Sequence, residues 1–433
     1  MTGRRSFLRL RRLAIGALPL LLGACDGVDV HIHSAPEALR AGFSGRDPSL
    51  RWDGAGHLHV IYVEGQEDAA RVVYRRLGPE PLGPFPVSPP GVATAAYGET
   101  PPTVEILPSG VLVAAYPVPL PGKWKNEIRV QRSEDSGRTW SAPALLHPQR
   151  QGAHSFFSSV LAPDGTVRFA WLDDSGGRMG LHTASTDDGR TFSPPATLDD
   201  RTCECCGTAL AALPSGIALA YRDEAESPKD HEEPVGEIRD LRVAVAGTGK
   251  PFSPAVAVAQ DGWRLAGCPH TGPRFAAADD GGLWTAWFTG AEPGIYAASS
   301  RDGGASFEPK EAIAQVDETT RLVRHPEIGN TGDGGLVVLY ESVLADGTSP
   351  LMARRRDPAT GAWQPAAAIA PTGAYPRWAH RDGKSAVAFT CPGQGGDRIV
   401  VANGEDALAG RESWEGCLAE PKPAEEGHAH GAG

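Results

Sequence analysis

Two short cysteine-rich segments carry the residues of this chain that are best suited to chemistry. The first is Cys203-Glu204-Cys205-Cys206 and the second is Cys268-Pro269-His270. Thiolate and imidazole groups together are ligands that suit Cu(I) and Zn²⁺. The residues therefore predict a soft-metal site, for which His154 and His325 are candidate additional ligands.

The same cysteines also have an interpretation as disulfides. A chain that is exported and keeps six cysteines after Cys25 is by default a disulfide case. One scheme pairs Cys391 with Cys417 and one of the first three cysteines with Cys268, which leaves a vicinal Cys205–Cys206 bridge as an option. The sequence leaves the metal and the disulfide interpretations open.

A unit of about 55 residues, repeated seven times, must position these residues. In each unit a glycine-containing turn is followed by an apolar strand that ends in an aromatic residue, and glycine supplies the positive φ that tight hairpins need. The seven aromatics are Tyr62, Tyr116, Trp171, Tyr221, Trp287, Tyr340 and Phe389, separated by 49 to 66 residues. No stretch has sustained helical periodicity, so the pattern predicts an all-β propeller.

A second turn motif, Ser-x-Asp-x-Gly-x-Thr/Ser-aromatic (the Asp-box), lies in phase with the hairpins. Full copies lie at 133–140, 185–192 and 300–307, and weaker ones at 247–252 and 357–363. Their aspartates Asp135, Asp187 and Asp302 are each expected to accept backbone N–H groups within the turn. We therefore interpret them as structural and not catalytic.

The seventh unit lacks the last of the four strands A, B, C and D. It has A at 375–381, B at 385–389 and C at 398–403. Segment 34–40 resembles strand D at 141–146, so an N-terminal strand is expected to close the ring and remove its free edges. The sequence thus predicts seven four-stranded blades over 34–417, with six blades and an irregular segment as the alternative.

One face of such a propeller collects the D-to-A and B-to-C loops around the central channel, and function is expected there. The opposite face carries the glycine and Asp-box turns. The first face receives both cysteine segments and Cys391. It also receives Arg46, Asp47, Glu99, His154, Arg274, Arg324, His325 and Arg377.

Asp-boxes in blades of this length resemble the sialidase (BNR-repeat) superfamily over essentially the whole mature chain. The resemblance implies glycoside hydrolysis, with arginines that grip the carboxylate of sialic acid. The residues it points to are Arg46, Asp47 as the acid, Arg274, Arg324 and Arg377, with Tyr340-Glu341 as a neighbouring pair. Seven units instead of six, a charged residue after Arg46 and the cysteine cluster depart from the family pattern.

The N-terminal residues predict a processing signal. Residues 3–9 contain a twin-arginine pattern, 13–22 are apolar, and Leu22-Gly23-Ala24-Cys25 resembles a lipobox. We expect residues 1–24 to be removed, Cys25 to be lipidated, 25–33 to be a linker and 418–433 to be a disordered tail. Asp26 favours retention at the inner membrane over the outer membrane.

The mature chain is strongly acidic. Without the five arginines of the signal, 41 Lys+Arg become 36 against 53 Asp+Glu, a net charge of −17. This charge with no basic patch excludes nucleic acid as the expected partner. We predict a membrane-anchored, periplasm-facing lipoprotein whose Cys/His/Arg-lined face binds a metal (copper or zinc, copper first), a small ligand or a protein partner. The alternative is a sialidase-like glycoside hydrolase.

Overall fold

The computed structural model describes residues 39–148, 152–225, 236–278, 280–393, 396–412, 414 and 417. These residues belong to one compact unit. The predicted signal 1–24, Cys25, the linker 25–33 and the tail 418–433 lie outside the described residues. Within the described ranges, no helix is long and apolar enough to cross a membrane.

Seven antiparallel sheets of four strands each form the blades. The first strand of the described residues, β1 (Arg40–Ser44), belongs to the last blade. Blade 1 contains β2 (Arg46–Trp52), β3 (Leu58–Glu64), β4 (Arg71–Leu77) and β5 (Leu82–Pro86). Blade 2 contains β6 (Thr103–Ile106), β7 (Leu112–Pro119), β8 (Asn126–Ser133) and β9 (Ala144–Leu145). Blade 3 contains β10 (His154–Leu161), β11 (Val167–Asp173), β12 (Gly180–Thr186) and β13 (Ala196–Asp199).

The chain order continues with one insertion in blade 4. Blade 4 contains β14 (Ala209–Leu213), β15 (Gly216–Arg222), β17 (Leu241–Gly247) and β18 (Val256–Ala257), while β16 (Glu237–Ile238) pairs separately with β19 (Arg264–Leu265). Blade 5 contains β20 (Arg274–Ala277), β21 (Leu283–Thr289), β22 (Gly294–Ser300) and β23 (Glu311–Gln315). Blade 6 contains β24 (Thr320–Asn330), β25 (Leu336–Leu344), β26 (Leu351–Arg356) and β27 (Ala367–Ala370). Blade 7 contains β28 (Ala374–Arg381), β29 (Lys384–Cys391), β30 (Arg398–Asn403) and β1, followed by the short helix α1 (Gly404–Leu408).

The seven repeated aromatic residues lie on the second strand of each blade and are buried. Both faces of such a strand are covered by the sheets of neighbouring blades, which is why these strands read as nearly continuous apolar runs. The exposed fraction is 0–4 % for Tyr62, Tyr116, Trp171, Tyr221, Trp287, Tyr340 and Phe389. The prediction of seven four-stranded blades is confirmed, and the six-blade alternative is wrong.

A strand from the N-terminal end closes the ring, as predicted. Strand β1 pairs with β30 from Arg40 opposite Ala402 to Ser44 opposite Arg398. The predicted strand 34–40 was placed too early, since β1 begins at Arg40; residues 34–38 lie outside the described ranges. Phe43 supplies the buried apolar contact of this strand, with its ring centroid 4.8 Å from that of Tyr62.

Two of the full Asp-box turns have the hydrogen bonds expected of them. Asp135 Oδ1 accepts the backbone N–H of Thr139 at 2.9 Å, and the Ser133 hydroxyl accepts that of Gly137 at 2.8 Å. The same bonds recur around Asp302. These carboxylates are occupied by their own turns, on the face opposite the cysteine loops.

In the remaining full copy the aspartate of the turn is Asp188, and the prediction of Asp187 is wrong. Asp188 Oδ1 accepts the backbone N–H groups of Arg190 at 2.7 Å and of Thr191 at 2.9 Å. Thr186 takes the place of the serine, and Asp187 is exposed. One residue fewer separates the aspartate from the glycine, so the sequence match was out of register by one position.

A disulfide fastens the end of the chain to blade 7. Cys391, the last residue of β29, is bonded to Cys417 at an S–S distance of 2.09 Å. Next to it, the Asn403 side chain accepts the N–H groups of Glu405 and Asp406 and starts α1. One of the predicted disulfide pairs is therefore present.

Candidate functional site

Two loops of neighbouring blades bring four cysteines and one histidine together. The loop from β13 to β14 carries Cys203, Cys205 and Cys206, whose Sγ atoms all lie within 4.8 Å of one another. The loop from β19 to β20 carries Cys268 and His270, whose ligand atoms lie within 4.8 Å of each other and of Cys205 Sγ. These five predicted metal ligands therefore meet at one place, which we call the sulfur cluster.

The sulfur cluster has a buried half and an exposed half. Cys203, Cys205 and Cys206 are 1 %, 4 % and 3 % exposed, whereas Cys268 and His270 are exposed. The Sγ atoms of Cys203 and Cys206 lie 3.5 Å apart, well beyond a disulfide bond of about 2.05 Å. All four cysteines of the two loops are free thiols, so the disulfide interpretation does not describe this part of the structure.

Direct backbone contact between the two loops requires glycine next to the ligands. A Cβ atom on Gly272 would lie 2.3 Å from the carbonyl oxygen of Gly207. The buried carboxylate of Glu99 accepts the N–H of Gly207 at 3.3 Å and that of Gly272 at 2.8 Å. Gly207 follows Cys206 directly, so Glu99 fastens the two ligand-bearing loops to each other.

Residues 97–100, which precede β6 in blade 2, cover this contact. The hydroxyl of Tyr97 lies 3.4 Å from Nδ1 of His270. The carbonyl of Gly98 accepts a hydrogen bond from Arg377 at 2.5 Å, and a Cβ on Gly98 would lie 2.1 Å from the ring of Tyr375. This loop therefore reaches across the channel mouth and orients the imidazole of the cluster.

Arg222, at the end of β15, supports the cluster from inside the fold. Its guanidinium is 2 % exposed and donates to the carbonyls of Arg239 at 2.7 Å and Phe288 at 2.8 Å. The backbone N–H of Cys203 donates to the Arg222 carbonyl at 3.0 Å. Arg222 therefore connects the cysteine loop to blade 5 and places a buried positive charge behind it.

The three buried cysteines divide into one acidic thiol and two weakly acidic ones. Hydrogen bonds from Cys205 and Cys206 lower the pKa of Cys203, and the positive charge of Arg222 adds to this effect. Hydrogen bonding to Cys203 raises the pKa of Cys205. Burial raises the pKa of Cys206. The side chains thus favour one thiolate held by two thiols.

The other two candidate ligands, His154 and His325, are engaged elsewhere. His154 Nδ1 lies 3.0 Å from the Asn126 carbonyl and Nε2 lies 3.1 Å from Asp173, so this residue holds blades 2 and 3 together. His325 Nδ1 lies 2.7 Å from Glu341, and Nε2 lies 3.2 Å from the carbonyl of His270. His325 therefore supports the backbone of the cluster and does not present a free nitrogen to it.

The arginines suggested by the sialidase resemblance are not brought together as one clamp. Arg46 donates to the Gly65 carbonyl at 3.1 Å, and Arg324 is paired with Glu341 at 2.9 Å. Only Arg274 and Arg377 converge, at 3.3 Å and 3.9 Å from the same Glu327 carboxylate oxygen.

The residues of the suggested acid and nucleophile pair are also held by the fold. The Asp47 N–H donates to Thr390 Oγ1 at 2.9 Å, and burial raises the pKa of the Asp47 carboxyl to about 6. Tyr340 is 4 % exposed, and burial raises the pKa of its phenol to about 12. Its neighbour Glu341 is occupied by His325 and Arg324.

A polar cavity of about 280 Å³ lies along the inner strands. Seven of its lining residues, one from each blade, occupy equivalent positions, each paired with the residue before a repeated aromatic: Ser49, Thr103, Ser158, Ala209, Arg274, Glu327 and Arg377. Burial raises the pKa of Glu327 against the opposing effect of the two arginines. Burial lowers the pKa of Arg377.

Sequence reasoning placed Glu99 on the correct face without a role and did not identify Arg222 or Glu327. The available signal for Glu99 was the pair of glycines that follow the ligand segments, because a close loop contact leaves N–H groups that need an acceptor. No comparable sequence signal exists for Arg222, because its carbonyl partner Phe288 lies in another blade.

Solved structures that are similar to this chain include carbohydrate-active enzymes. A polysaccharide lyase of family PL25, an ulvan lyase, has a TM-score of 0.55 and 12 % identity over 84 % of this chain and 96 % of its own. The Hadza microbial sialidase Hz136 has a TM-score of 0.45 and 14 % identity over 83 % of this chain and 75 % of its own. At 12 % identity, the likeness to the lyase establishes the fold alone. No protein-family model and no curated protein matches the chain.

Proposed function

We propose that this protein binds copper as Cu(I) through Cys203, Cys205, Cys206, Cys268 and His270. The observation that carries the proposal is the meeting of these ligands from two loops of adjacent blades, with all the ligand atoms of each triad within 4.8 Å. Ligands arranged around one ion with bonds of about 2.3 Å lie roughly 4 Å apart. The spacing of the cluster therefore suits metal coordination.

The chemistry of the donors favours a soft ion. Neither triad contains a carboxylate, whereas Ca²⁺ and Mg²⁺ prefer oxygen ligands. Thiolate-rich sites select Cu(I), zinc and iron–sulfur clusters. Three almost fully buried sulfurs suit trigonal Cu(I) better than a tetrahedral Zn²⁺ site, which needs a fourth ligand.

Metal analysis of anaerobically purified protein tests the proposal. We expect copper to be retained against a competing chelator, and Cys205→Ser to lose most of it, because Cys205 belongs to both triads. His57→Gln is a matched control, since His57 lies at a glycine turn on the opposite face. If the protein retains zinc and has no affinity for Cu(I), the site binds zinc and the proposal of copper is wrong. Full oxidation of the four thiols to disulfides, with no metal bound, would contradict the proposal.

We also propose that the protein is exported and anchored through a lipid on Cys25, facing the periplasm. The support is the sequence Arg4-Arg5, the apolar run and the lipobox-like residues before Cys25. Fractionation tests this proposal: the wild-type protein is expected with the inner membrane and Cys25→Ser with the soluble fraction. An unchanged distribution would contradict it.

A sialidase-like glycoside hydrolase is the second candidate function. It is favoured by Arg274 and Arg377, which border the polar cavity together. Because both guanidinium groups face Glu327, they would have to exchange an internal carboxylate for that of a substrate. Release of sialic acid from a fluorogenic sialoside, lost in Arg46→Ala and Arg274→Ala, would favour this function over metal binding.

A further inference from the structure

We propose that the sulfur cluster holds two Cu(I) ions that share the thiolate of Cys205. The inner ion is bound by Cys203, Cys205 and Cys206, and the outer ion by Cys205, Cys268 and His270. This inference rests on the proposed function and adds the number, the position and the order of exchange of the ions.

The positions of the ligand atoms indicate that the cluster holds two ions. The five ligand atoms form two triads with one common member, and each triad is compact within 4.8 Å. An ion with bonds of about 2.3 Å cannot span ligands more than roughly 4.6 Å apart. One ion therefore serves one triad, and Cys205 Sγ is the atom that both triads contain.

The burial of the ligands distinguishes the two ions. Every sulfur of the inner triad is more than nine-tenths buried, whereas two of the three outer ligands are exposed. Solvent and chelators reach Cys268 and His270 first. The outer ion is therefore expected to exchange readily, and the inner ion to be exchanged slowly.

Buried positive charge next to the cluster offsets the charge of the filled site. Four thiolates and two Cu(I) ions carry a net charge of −2, with one proton released to solvent for every thiol that becomes a ligand. Arg222 and Arg239 both interact electrostatically with Cys203. Each has a buried Nε atom without a hydrogen-bond partner. The charge of Arg222 offsets part of the charge that two bridged ions leave, whereas Arg239 is already paired with Glu224 at 2.9 Å.

Anaerobic titration with Cu(I) against a competing chelator tests the stoichiometry. We expect two ions per chain for the wild type and for the control His57→Gln. The outer-triad variants Cys268→Ser and His270→Gln are expected to bind one ion, as is the inner-triad variant Cys203→Ser. X-ray absorption should detect a Cu–Cu scattering path in the wild type that Cys268→Ser lacks. Both outer ligands are exposed, so these substitutions are expected to leave the fold intact, as circular dichroism checks.

The possible results separate this inference from the proposed function. One ion per chain in the wild type, unchanged in Cys268→Ser, would overturn the two-ion site and leave copper binding standing. Two ions without a Cu–Cu path would overturn the shared thiolate. No bound copper at all would overturn both.

Discussion

Four inner strands contain a residue in the left-handed region of the backbone, where a side chain other than glycine costs about 1–3 kcal/mol. These residues are Asp47, Phe156, His325 and Tyr375, with φ between 48° and 55°. Each lies two positions before a residue of the cavity, and each lies within a shift of strand register. The strain is thus part of a bulge that turns the next side chains into the channel.

Asp47 supplies a test at one of these bulges. Its carboxyl pKa is raised from 3.8 to about 6 by burial, so the folded state favours the protonated form. Stability is therefore lost as pH rises from about 4 to 6 and stays low above that range. Asp47→Asn keeps the shape without the charge and tolerates positive φ. It should raise the free energy of unfolding by about 1–3 kcal/mol at pH 7 and leave it unchanged near pH 4. Urea unfolding of the variant and the wild type at both pH values measures this difference.

An exposed carboxylate provides the control for this substitution. Asp68 lies in an exposed turn after β3, so Asp68→Asn is expected to leave stability unchanged at both pH values. A pH-independent effect of Asp47→Asn would mean that the charge of Asp47 is not the cause.

Glu99 supplies a second test, because two buried N–H groups depend on its carboxylate. Glu99→Ala leaves both without an acceptor, at a cost of about 1–3 kcal/mol each, and should lower the melting temperature in scanning calorimetry. Glu99→Gln keeps an acceptor oxygen and is expected to lower it much less. Equal melting temperatures for the two variants would show that the Glu99 acceptor does not hold the loops.

At the scale of the turn, Asp188 and its neighbour Asp187 form a matched pair. Asp188→Ala removes the acceptor of two backbone N–H groups and should destabilise the protein by about 1 kcal/mol. Asp187→Ala is expected to have almost no effect, because Asp187 is exposed. A larger destabilisation by Asp187→Ala than by Asp188→Ala would instead support Asp187 as the aspartate of the turn, as expected from the sequence.

The same pair has a predicted pH dependence. Burial opposes the shift, but hydrogen bonds from Thr191 and Arg190 hold the pKa of Asp188 at about 2. A lowered carboxyl pKa stabilises the fold above the unfolded value of about 3.9, and this stabilisation is lost as pH falls to about 2. The difference between wild type and Asp188→Ala should therefore disappear near pH 2 in a pH series of unfolding measurements.

Sequence periodicity was sufficient for the blades because each blade repeats a local pattern. The aromatic spacing and the glycine turns fixed the strand count, and the rule that D-to-A loops share a face brought Cys203–Cys206 and Cys268–His270 together. The same rule wrongly placed His154 and His325 among the metal ligands, because the partner of a histidine on that face depends on residues that are distant in the sequence. Asp173 and Glu341, which hold them, gave no sign of this in the sequence.

At the scale of the whole molecule, β1 protects the edge of β30. A chain that begins at Ala38 retains this strand, whereas one that begins at Gly45 exposes the hydrogen-bonding groups of β30. We expect the longer chain to remain monomeric and the shorter one to aggregate, because free strand edges pair with other chains. Light scattering of the two purified chains measures this, and a monomeric shorter chain would contradict the role of β1.

Pairing the first strand with the last also dictates when folding can finish. Six blades are made of contiguous chain, so their hairpins can form in the order in which the ribosome releases them. Blade 7 cannot be completed until β30 has emerged from the ribosome, because Arg40 of β1 pairs with Ala402 of β30. A nascent chain stalled before residue 398 keeps both ends of its ring open, however much of it has already folded. The emergence of β30 is therefore the event that permits ring closure.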